Sequence, residues 1–297
     1  MKLLSRQEKA VKVTAYVVLC FMSILSIIPF WLLVSSSISD SNYVLAEGYR
    51  FLPKQLSLEA YRYIGAQWGQ IGHAYIITIT VTVLGTFFSL LIATMLAYGL
   101  TQPNLPGGKI IMGLIMFTML FSGGIVPQYM IYSNYLGFKN SLLGLIVPNL
   151  LTNAFSVILV RNYFVTAIPG ELREAMEIDG AGPFRVYFRM MLPLSTPILA
   201  TLGIMAAITY WNDWSNALYY ITDTRFFSVQ QLLNEMNNNI LFMANNSGQL
   251  QGVDVSTLPT ITMRMAIAVI GILPIIIVYP FFQKYFARGI TVGAVKG

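Results

Sequence analysis

The sequence predicts an all-α polytopic membrane protein with six transmembrane helices. Of its 297 residues, 56% are hydrophobic and only 10% are charged, whereas about a quarter of the residues of a soluble domain carry charge. Six stretches contain no Asp, Glu, Lys or Arg, and a helix of roughly 20 such residues crosses a hydrocarbon core. The stretches lack the alternation of barrel strands, and an open strand edge cannot be satisfied in lipid. Every span is therefore expected to be a helix.

The six predicted spans follow one another without a repeat or a linker that would mark a second domain. Residues 1–297 are therefore predicted to form a single transmembrane domain. In chain order, the spans cover about 14–36, 74–100, 110–132, 141–160, 194–212 and 265–283.

The amino-terminal stretch "MKLLSRQEKAVK", followed by an apolar run, has the basic start of a signal peptide. The apolar run is longer than the 7 to 15 residues typical of such a peptide. An uncleaved first span is the better interpretation.

The distribution of Lys and Arg predicts the orientation, because cytosolic segments of membrane proteins are enriched in positive charge. With the amino terminus inside, the cytosolic segments hold twelve of the 18 Lys and Arg residues. Both termini and the segment 161–193 are then cytosolic. The segments of about 37–73 and 213–264 lie outside, where their aromatic and amide residues would face an external partner.

Neither the charge nor the rare reactive residues predict another kind of function. The formal net charge of +6 is spread around the spans and forms no continuous stripe for nucleic acid. Cys20 is the single cysteine and His73 the single histidine, so no metal site is expected.

A charged stretch between the fourth and fifth spans reads "EAMEIDGAGPFRVYFRMMLPL" over residues 174–194. A short helix is expected to start after Pro169, with Glu171 and Glu174 near its amino end, where the helix dipole favours negative charge. Ala175, Ile178 and Ala181 would form one small apolar face. Gly180 and the pair Gly182-Pro183 should end this helix and begin a second one over about 184–190. In that second helix, Phe184, Tyr187 and Phe188 are expected to anchor the interface.

The spacing of this stretch reproduces the EAA loop of ABC-importer permeases. The chain resembles permease subunits of carbohydrate-uptake ABC importers, such as the smaller permease of the maltose transporter. It is most similar to those for complex oligosaccharides, including uronic-acid-containing ones. Other stretches share the likeness: "GGIVPQYMIYSNYLGFKNSLLGLIVPN", "RNYFVTAIPGELREAMEIDGAG", "ITYWNDWSNALYYI" and "GITVGAVKG". The sequence departs from the pattern at Met176, where alanine is usual, and at Met190, where isoleucine is commoner.

The resemblance implies the type I importer permease fold, in the bacterial cytoplasmic (inner) membrane, with the EAA loop as a coupling helix that fits a cleft in an ATPase subunit. The expected coupling residues are Glu174, Ala175, Met176, Asp179, Gly180, Ala181, Leu192 and Pro193. The tail Gly293–Gly297 is expected to insert at the ATPase interface.

The implied partners are a homologous permease that completes a heterodimer, two ATPase subunits, an extracytoplasmic solute-binding protein, the oligosaccharide and membrane lipid, with no nucleic acid. The chain carries no cofactor and is not an enzyme, because "LPGGKIIMG" lacks the earlier glycine and the hydroxyl of a phosphate-binding loop. ATP and Mg²⁺ would be bound by the ATPase.

A possible substrate path runs by the outer end of the fifth span. Aromatic faces stack on sugar rings and amides bond hydroxyls, which favours Tyr210, Trp211 and Asn212, although such rings also anchor helices at the interface. Asn153 is polar near the fourth span and can serve the path or bind another helix. Arg264 can pair with Asp213 or, unpaired, suit an acidic sugar.

Two other functions stay open at this point. An ABC permease for a peptide, an amino acid or phosphate would have the same general fold, although the long outer segments and the terminal tail favour sugar uptake. An ion-driven secondary transporter needs buried acidic residues in its spans, and the six predicted spans contain none.

Overall fold

The computed structural model describes residues 6–103, 105–148, 150–245 and 260–294. Within these ranges the chain is helical, and the pairing of Ser39 with Leu56 is an isolated bridge outside any strand. The all-α prediction is confirmed for this part of the chain.

The helices are numbered in chain order. They are α1 (Arg6–Ser37), α2 (Ser41–Glu47), α3 (Glu59–Gly65), α4 (Trp68–Gly99), α5 (Gly108–Leu120), α6 (Ile125–Tyr129), α7 (Leu142–Ile146), α8 (Ala154–Ala167), α9 (Gly170–Ile178), α10 (Pro183–Val186), α11 (Leu192–Leu194), α12 (Thr196–Asn212), α13 (Ser215–Tyr220), α14 (Val229–Asn245) and α15 (Thr260–Ala294). Two π-helical turns, Met130–Tyr135 and Tyr187–Met191, follow α6 and α10.

Three helical segments in the described ranges are long and apolar enough to cross a membrane: Lys9–Ser37, Trp68–Gly99 and Ile261–Val278. Two further spans result if each of two bent helix pairs counts as one: Gly108–Leu120 with Ile125–Tyr135, bent by 118°, and Pro183–Leu194 with Thr196–Asn212, bent by 80°. The remaining apolar helix, α8, has 14 residues. The count of six stays a prediction.

The third and fourth predicted spans are interrupted. The run 110–132 breaks at 121–124, where Phe121 is extended and Gly124 has a φ of 80° that favours glycine. The run 141–160 is divided between α7 and α8, with Pro148 in the non-helical stretch between them. The absence of charged residues predicted that these segments are apolar. The ends of the helices within them are set by glycine and proline.

The described chain forms two compact units, 1–69 with 235–274, and 70–234 with 275–297. In the first, the segment that follows α1 folds back on the end of that helix. The indole Nε1 of Trp31 donates to the carbonyl of Phe51 at 2.8 Å, and the hydroxyl of Ser35 donates to the carbonyl of Arg50 at 2.7 Å. These bonds satisfy polar groups where α1 ends.

Most of α1 has no partner in the described chain. None of its most apolar 18-residue stretch is buried, at 0%, and Phe21 and Ile24 are largely exposed. Lipid or another protein must cover this helix, because an apolar surface of this size is not stable in water.

In the second unit, α4, α8 and α12 pack around a core that also includes the stretch after α9. The buried side chains of this core include Ala93, Ala97, Tyr98, Val157, Val160, Phe164, Val186, Tyr187, Met190, Met191 and Leu202. Close helix approach needs glycine at one point. A Cβ atom on Gly85 would lie 2.5 Å from Cζ of Tyr210, so no larger residue fits there without movement.

Candidate coupling loop and solute path

The predicted coupling loop consists of α9 and α10 joined by a glycine turn. Gly180 has a φ of 75°, its N–H donates to the carbonyl of Glu177 at 3.0 Å, and the N–H of Ala181 donates to the carbonyl of Met176 at 2.9 Å. This pair of bonds is the Schellman arrangement that ends a helix with glycine in the left-handed conformation. Pro183 then occupies the first turn of α10, where a missing N–H costs nothing.

The eight predicted coupling residues divide between two surroundings. Three of them, Met176, Ala181 and Leu192, pack against the buried core of the second unit. The other five are exposed: Glu174, Ala175, Asp179, Gly180 and Pro193. The three packed residues therefore anchor the loop to the core, and the five exposed residues lie on its outer surface.

Two large apolar side chains accompany the exposed group. Ile178 is 85% exposed and Phe184 is 69% exposed, although both are large enough to contribute well over 1 kcal/mol each if buried. Within α9, Arg173 and Glu177 form an ion pair at 3.5 Å, which supports the helix by a few tenths of a kcal/mol. The outer surface of the loop thus combines two exposed apolar side chains, Ile178 and Phe184, with the exposed acidic residues Glu174 and Asp179.

Two expectations for this loop were wrong. Ala175, Ile178 and Ala181 do not share one face, because Ala181 lies in the turn beyond α9 and packs on the core. Tyr187 was expected at the membrane interface, but it is 1% exposed, and its ring centroid lies 5.5 Å from that of Tyr98. The position of Ala181 had a local signal, since Gly180 ends the helix one residue earlier. The burial of Tyr187 had none, since it depends on how the loop packs on α4.

The predicted path residues at the end of α12 have different surroundings. Tyr210 is buried, and its hydroxyl donates to the carbonyl of Ile146 at 3.0 Å. In this conformation its side chain is part of the protein interior and does not line an open path. Asn212 is exposed, and its amide donates to the carbonyl of Ile208 at 3.0 Å.

Among the predicted path residues, Trp211 has the surroundings that best suit a ligand. Its ring centroid lies 6.3 Å from that of Tyr75, and its indole nitrogen is buried without a hydrogen-bond partner among the described residues. Thr82 and Thr86 of α4 also have buried hydroxyls without such a partner. A buried polar group without a partner is costly. The indole N–H of Trp211 can therefore donate to a ligand or water, and the two threonine hydroxyls can donate or accept.

Asn153, Arg264 and Asp213 each have a defined partner. Asn153 caps α8, because its Oδ1 accepts from the N–H of Ser156 at 3.0 Å. The Nε of Arg264 donates to Oδ1 of Asn237 at 3.0 Å, and the carboxylate of Asp213 accepts from Ser215 and Asn216. The structure thus gives Asp213 and Arg264 partners other than each other. Burial raises the pKa of the Asp213 carboxyl, and the bonds from Ser215 and Asn216 oppose that rise.

The comparisons with known proteins agree with the helical architecture. Residues 75–292 match the family described as binding-protein-dependent transport system inner membrane component. The polygalacturonan/rhamnogalacturonan transport system permease protein YtcP of Bacillus subtilis is 34% identical over 283 residues, which cover 95% of this chain and 96% of that protein. The arabinooligosaccharides transport system permease protein AraQ of Halalkalibacterium halodurans is 27% identical, with 93% of this chain and 94% of that protein covered.

A solved structure matches as well. It is the crystal structure of a bacterial ABC transporter involved in the import of the acidic polysaccharide alginate, and the matching chain is 27% identical, with a TM-score of 0.77. The match covers 96% of this chain and 100% of the other. The resemblance stated from the sequence is therefore confirmed: the chain belongs to the family of binding-protein-dependent transport system inner membrane components, and it is a non-catalytic permease subunit of an ABC importer of the inner membrane.

Proposed function

We propose that this subunit imports oligosaccharides and forms half of their translocation path. The observation that carries the proposal is the likeness over nearly the whole chain to proteins named for polygalacturonan, arabinooligosaccharide and alginate transport. Two of these three names refer to acidic sugars, which favours an oligosaccharide with uronic acid units. The same observation disfavours peptides, amino acids and ion-driven transport.

The outer surface of the coupling loop is the docking surface for the ATPase. Ile178 and Phe184 would enter an apolar cleft, as the aromatic and aliphatic anchors of protein interfaces do. Glu174 and Asp179 would lie at the rim, near basic residues of the ATPase, where charge sets orientation more than affinity. Glycine at 180 shapes the turn between the two docking helices.

The inner group of the loop would transmit the movement of the ATPase subunits. Met176, Ala181 and Leu192 pack on the same core as α4 and α8, and packed cores move as bodies because they are not continuously deformable. Closure of the ATPase on ATP, which with Mg²⁺ is held by that subunit, would then swing these helices from an inward-open to an outward-open arrangement.

The other permease of the heterodimer would cover α1. This helix is the longest apolar surface of the described chain that no other part of it buries, and packing against another spanning helix is its simplest use in a complex. Cys20 is exposed on α1 and offers a natural site for cross-linking to that partner.

The external partner would meet the outer segments. Both termini would be cytosolic, so α2, α3 and α14 lie on the outer side, where a solute-binding protein delivers the sugar. Trp211 and Asn212 stand at the mouth of the path, and Arg264, an exposed cation, suits a uronic acid carboxylate.

The test is the ATPase rate of the complete transporter in proteoliposomes, measured with its binding protein and one solute at a time. The panel consists of trigalacturonate, arabinotriose, maltotriose, a tripeptide and a single amino acid. We expect at least one of the three trisaccharides to stimulate hydrolysis. Stimulation by the tripeptide or the amino acid alone would overturn the proposal.

A further inference from the structure

A cavity of about 350 Å³ lies between α3, α14 and the first turns of α15. All its lining residues belong to the first unit, within 1–69 and 235–274. Its volume is at the lower end of the range for small-molecule sites in proteins. None of its lining residues belongs to the coupling loop or to α12.

Two aromatic rings form part of the cavity wall. Tyr63 of α3 and Phe242 of α14 line it, and both remain accessible, at 39% and 62% exposure. An exposed aromatic ring gains free energy when a flat apolar surface covers it. The carbon-bound hydrogens of one face of a sugar ring provide such a surface.

Two amides share the cavity with these rings. Gln67, which follows α3, and Asn239 of α14 line it, and each amide has both donor and acceptor groups. A sugar hydroxyl also donates and accepts, so either orientation of an amide can bind it. Few other common ligands combine such hydroxyls with an apolar ring face.

The floor of the cavity is apolar and closely packed. Met236, Ile240 and Met263 line it, and each of them is buried. These side chains exclude water from beneath a ligand, which strengthens the hydrogen bonds above them.

No charged side chain is among the cavity residues that the structure describes. The nearest cation along α15 is Arg264, the residue after Met263, and Asn237 of α14 accepts a hydrogen bond from its Nε. A buried carboxylate would lack a counter-charge in the cavity, so the unit bound there is neutral.

We propose that this cavity is a subsite for one neutral sugar ring of the imported oligosaccharide, on the outer side of the permease. The inference rests on the proposed oligosaccharide function and adds a place where this subunit itself holds the cargo. A sugar released from the binding protein would stack on Tyr63 and Phe242 and bond to Gln67 and Asn239.

The test is direct binding of sugar to the complete transporter in nanodiscs without the binding protein. Saturation-transfer difference NMR is recorded with maltotriose, arabinotriose and trigalacturonate as separate probes. We expect the wild type to give signals from a neutral trisaccharide, and Tyr63→Ala and Phe242→Ala each to weaken its binding by roughly tenfold. Matched controls are Tyr49→Ala and Phe51→Ala, two exposed aromatic residues of the same unit outside the cavity.

Three results would overturn the subsite: no signal from the wild type with either neutral trisaccharide, unchanged binding in both cavity variants, or equal losses in the control variants. Each of these leaves the proposed import function in place if a trisaccharide still stimulates the ATPase through the binding protein. Stimulation by a peptide or an amino acid alone would instead remove the import function and the subsite together. Tyr63 and Phe242 are exposed, so thermal stability should match the wild type in all four variants.

Discussion

The hydroxyl groups of Thr94 and Tyr187 lie 2.6 Å apart in the protein interior, although 93 positions separate the two residues. Thr94 Oγ1 is also 2.7 Å from the carbonyl of Leu90 and 3.0 Å from that of Leu91. A threonine hydroxyl has one proton, and carbonyls only accept. Thr94 therefore donates to its own helix, and Tyr187 donates to Thr94, which ties the loop to α4.

This direction of the bond predicts unequal effects of two substitutions. Thr94→Val leaves the buried hydroxyl of Tyr187 without an acceptor and should lower the free energy of unfolding by about 1–3 kcal/mol. Tyr187→Phe leaves Thr94 bonded to its helix and should cost about 1 kcal/mol. Thermal unfolding of the purified complex measures both. Thr80→Val is the control, since Thr80 bonds only to the carbonyl of Ile76 in the same helix; an equal loss there would contradict the assignment.

The two surroundings found in the coupling loop predict opposite effects at two neighbouring positions. Ile178→Ala should weaken ATPase binding by about tenfold or more and leave the permease as stable as before, because Ile178 packs on little of its own chain. Met176→Ala should leave the affinity nearly unchanged and lower stability by about 1–2 kcal/mol, because Met176 packs on the core. Titration of the purified permease pair with the ATPase gives the affinity. The docking surface is misplaced if Met176→Ala weakens binding more than Ile178→Ala.

Two glycines between α9 and α10 allow a matched pair of alanine variants. Gly180→Ala places a side chain at a φ of 75°, at a cost of about 1–2 kcal/mol, and should reduce the stimulation of ATPase activity by loaded binding protein. Gly182→Ala is the control, because its φ is −68° and a Cβ there meets nothing within 4 Å. Indistinguishable ATPase stimulation in the two variants would show that the turn has no part in coupling.

Replacing either of two aspartates outside the spans, Asp213 or Asp223, by asparagine should change the thermal stability, and the two changes should have opposite signs. Burial raises the pKa of Asp213 above its ordinary 3.8, so its folded form loses stability as pH rises above that value. Asp213→Asn should therefore raise Tm relative to wild type, by more at pH 7 than at pH 4. Asn also caps a helix well, so the local hydrogen bonds persist.

Asp223 has a pKa shifted in the opposite direction from that of Asp213. Hydrogen bonds from Arg225 lower the pKa of this carboxyl, so its contribution to stability is present above the ordinary pKa and is lost as pH falls. Asp223→Asn should lower Tm at pH 7 and have little effect at pH 4. Thermal unfolding from pH 4 to pH 8 measures both variants, and differences of the same sign would refute the assignments.

The parts that the sequence predicted well depend on neighbouring residues. Pro169, Gly180 and Gly182-Pro183 are turn and cap residues whose effect is local, and α9 and α10 lie where those residues indicate. The break after α5 was missed because the spans were placed by absence of charge alone, although Gly123 and Gly124 stand there.

The parts that were missed depend on distant contacts. The approach of Gly85 to Tyr210 joins α4 to α12, and the burial of Tyr187 depends on α4. No periodicity in either segment indicates its partner. An asparagine such as Asn153 can cap a helix as well as bind a solute. Its role as a cap became clear only from the start of α8 at Ala154.

The exposed α1 has a consequence for how the complex is made. In the chain α1 precedes the other described helices, and the described remainder does not bury its apolar stretch. If the partner permease covers α1 as proposed, the packing of this helix is completed only when the two subunits assemble. Exchange of α1 for the first helix of a different permease should then change which subunit is recruited and leave the rest of the chain intact.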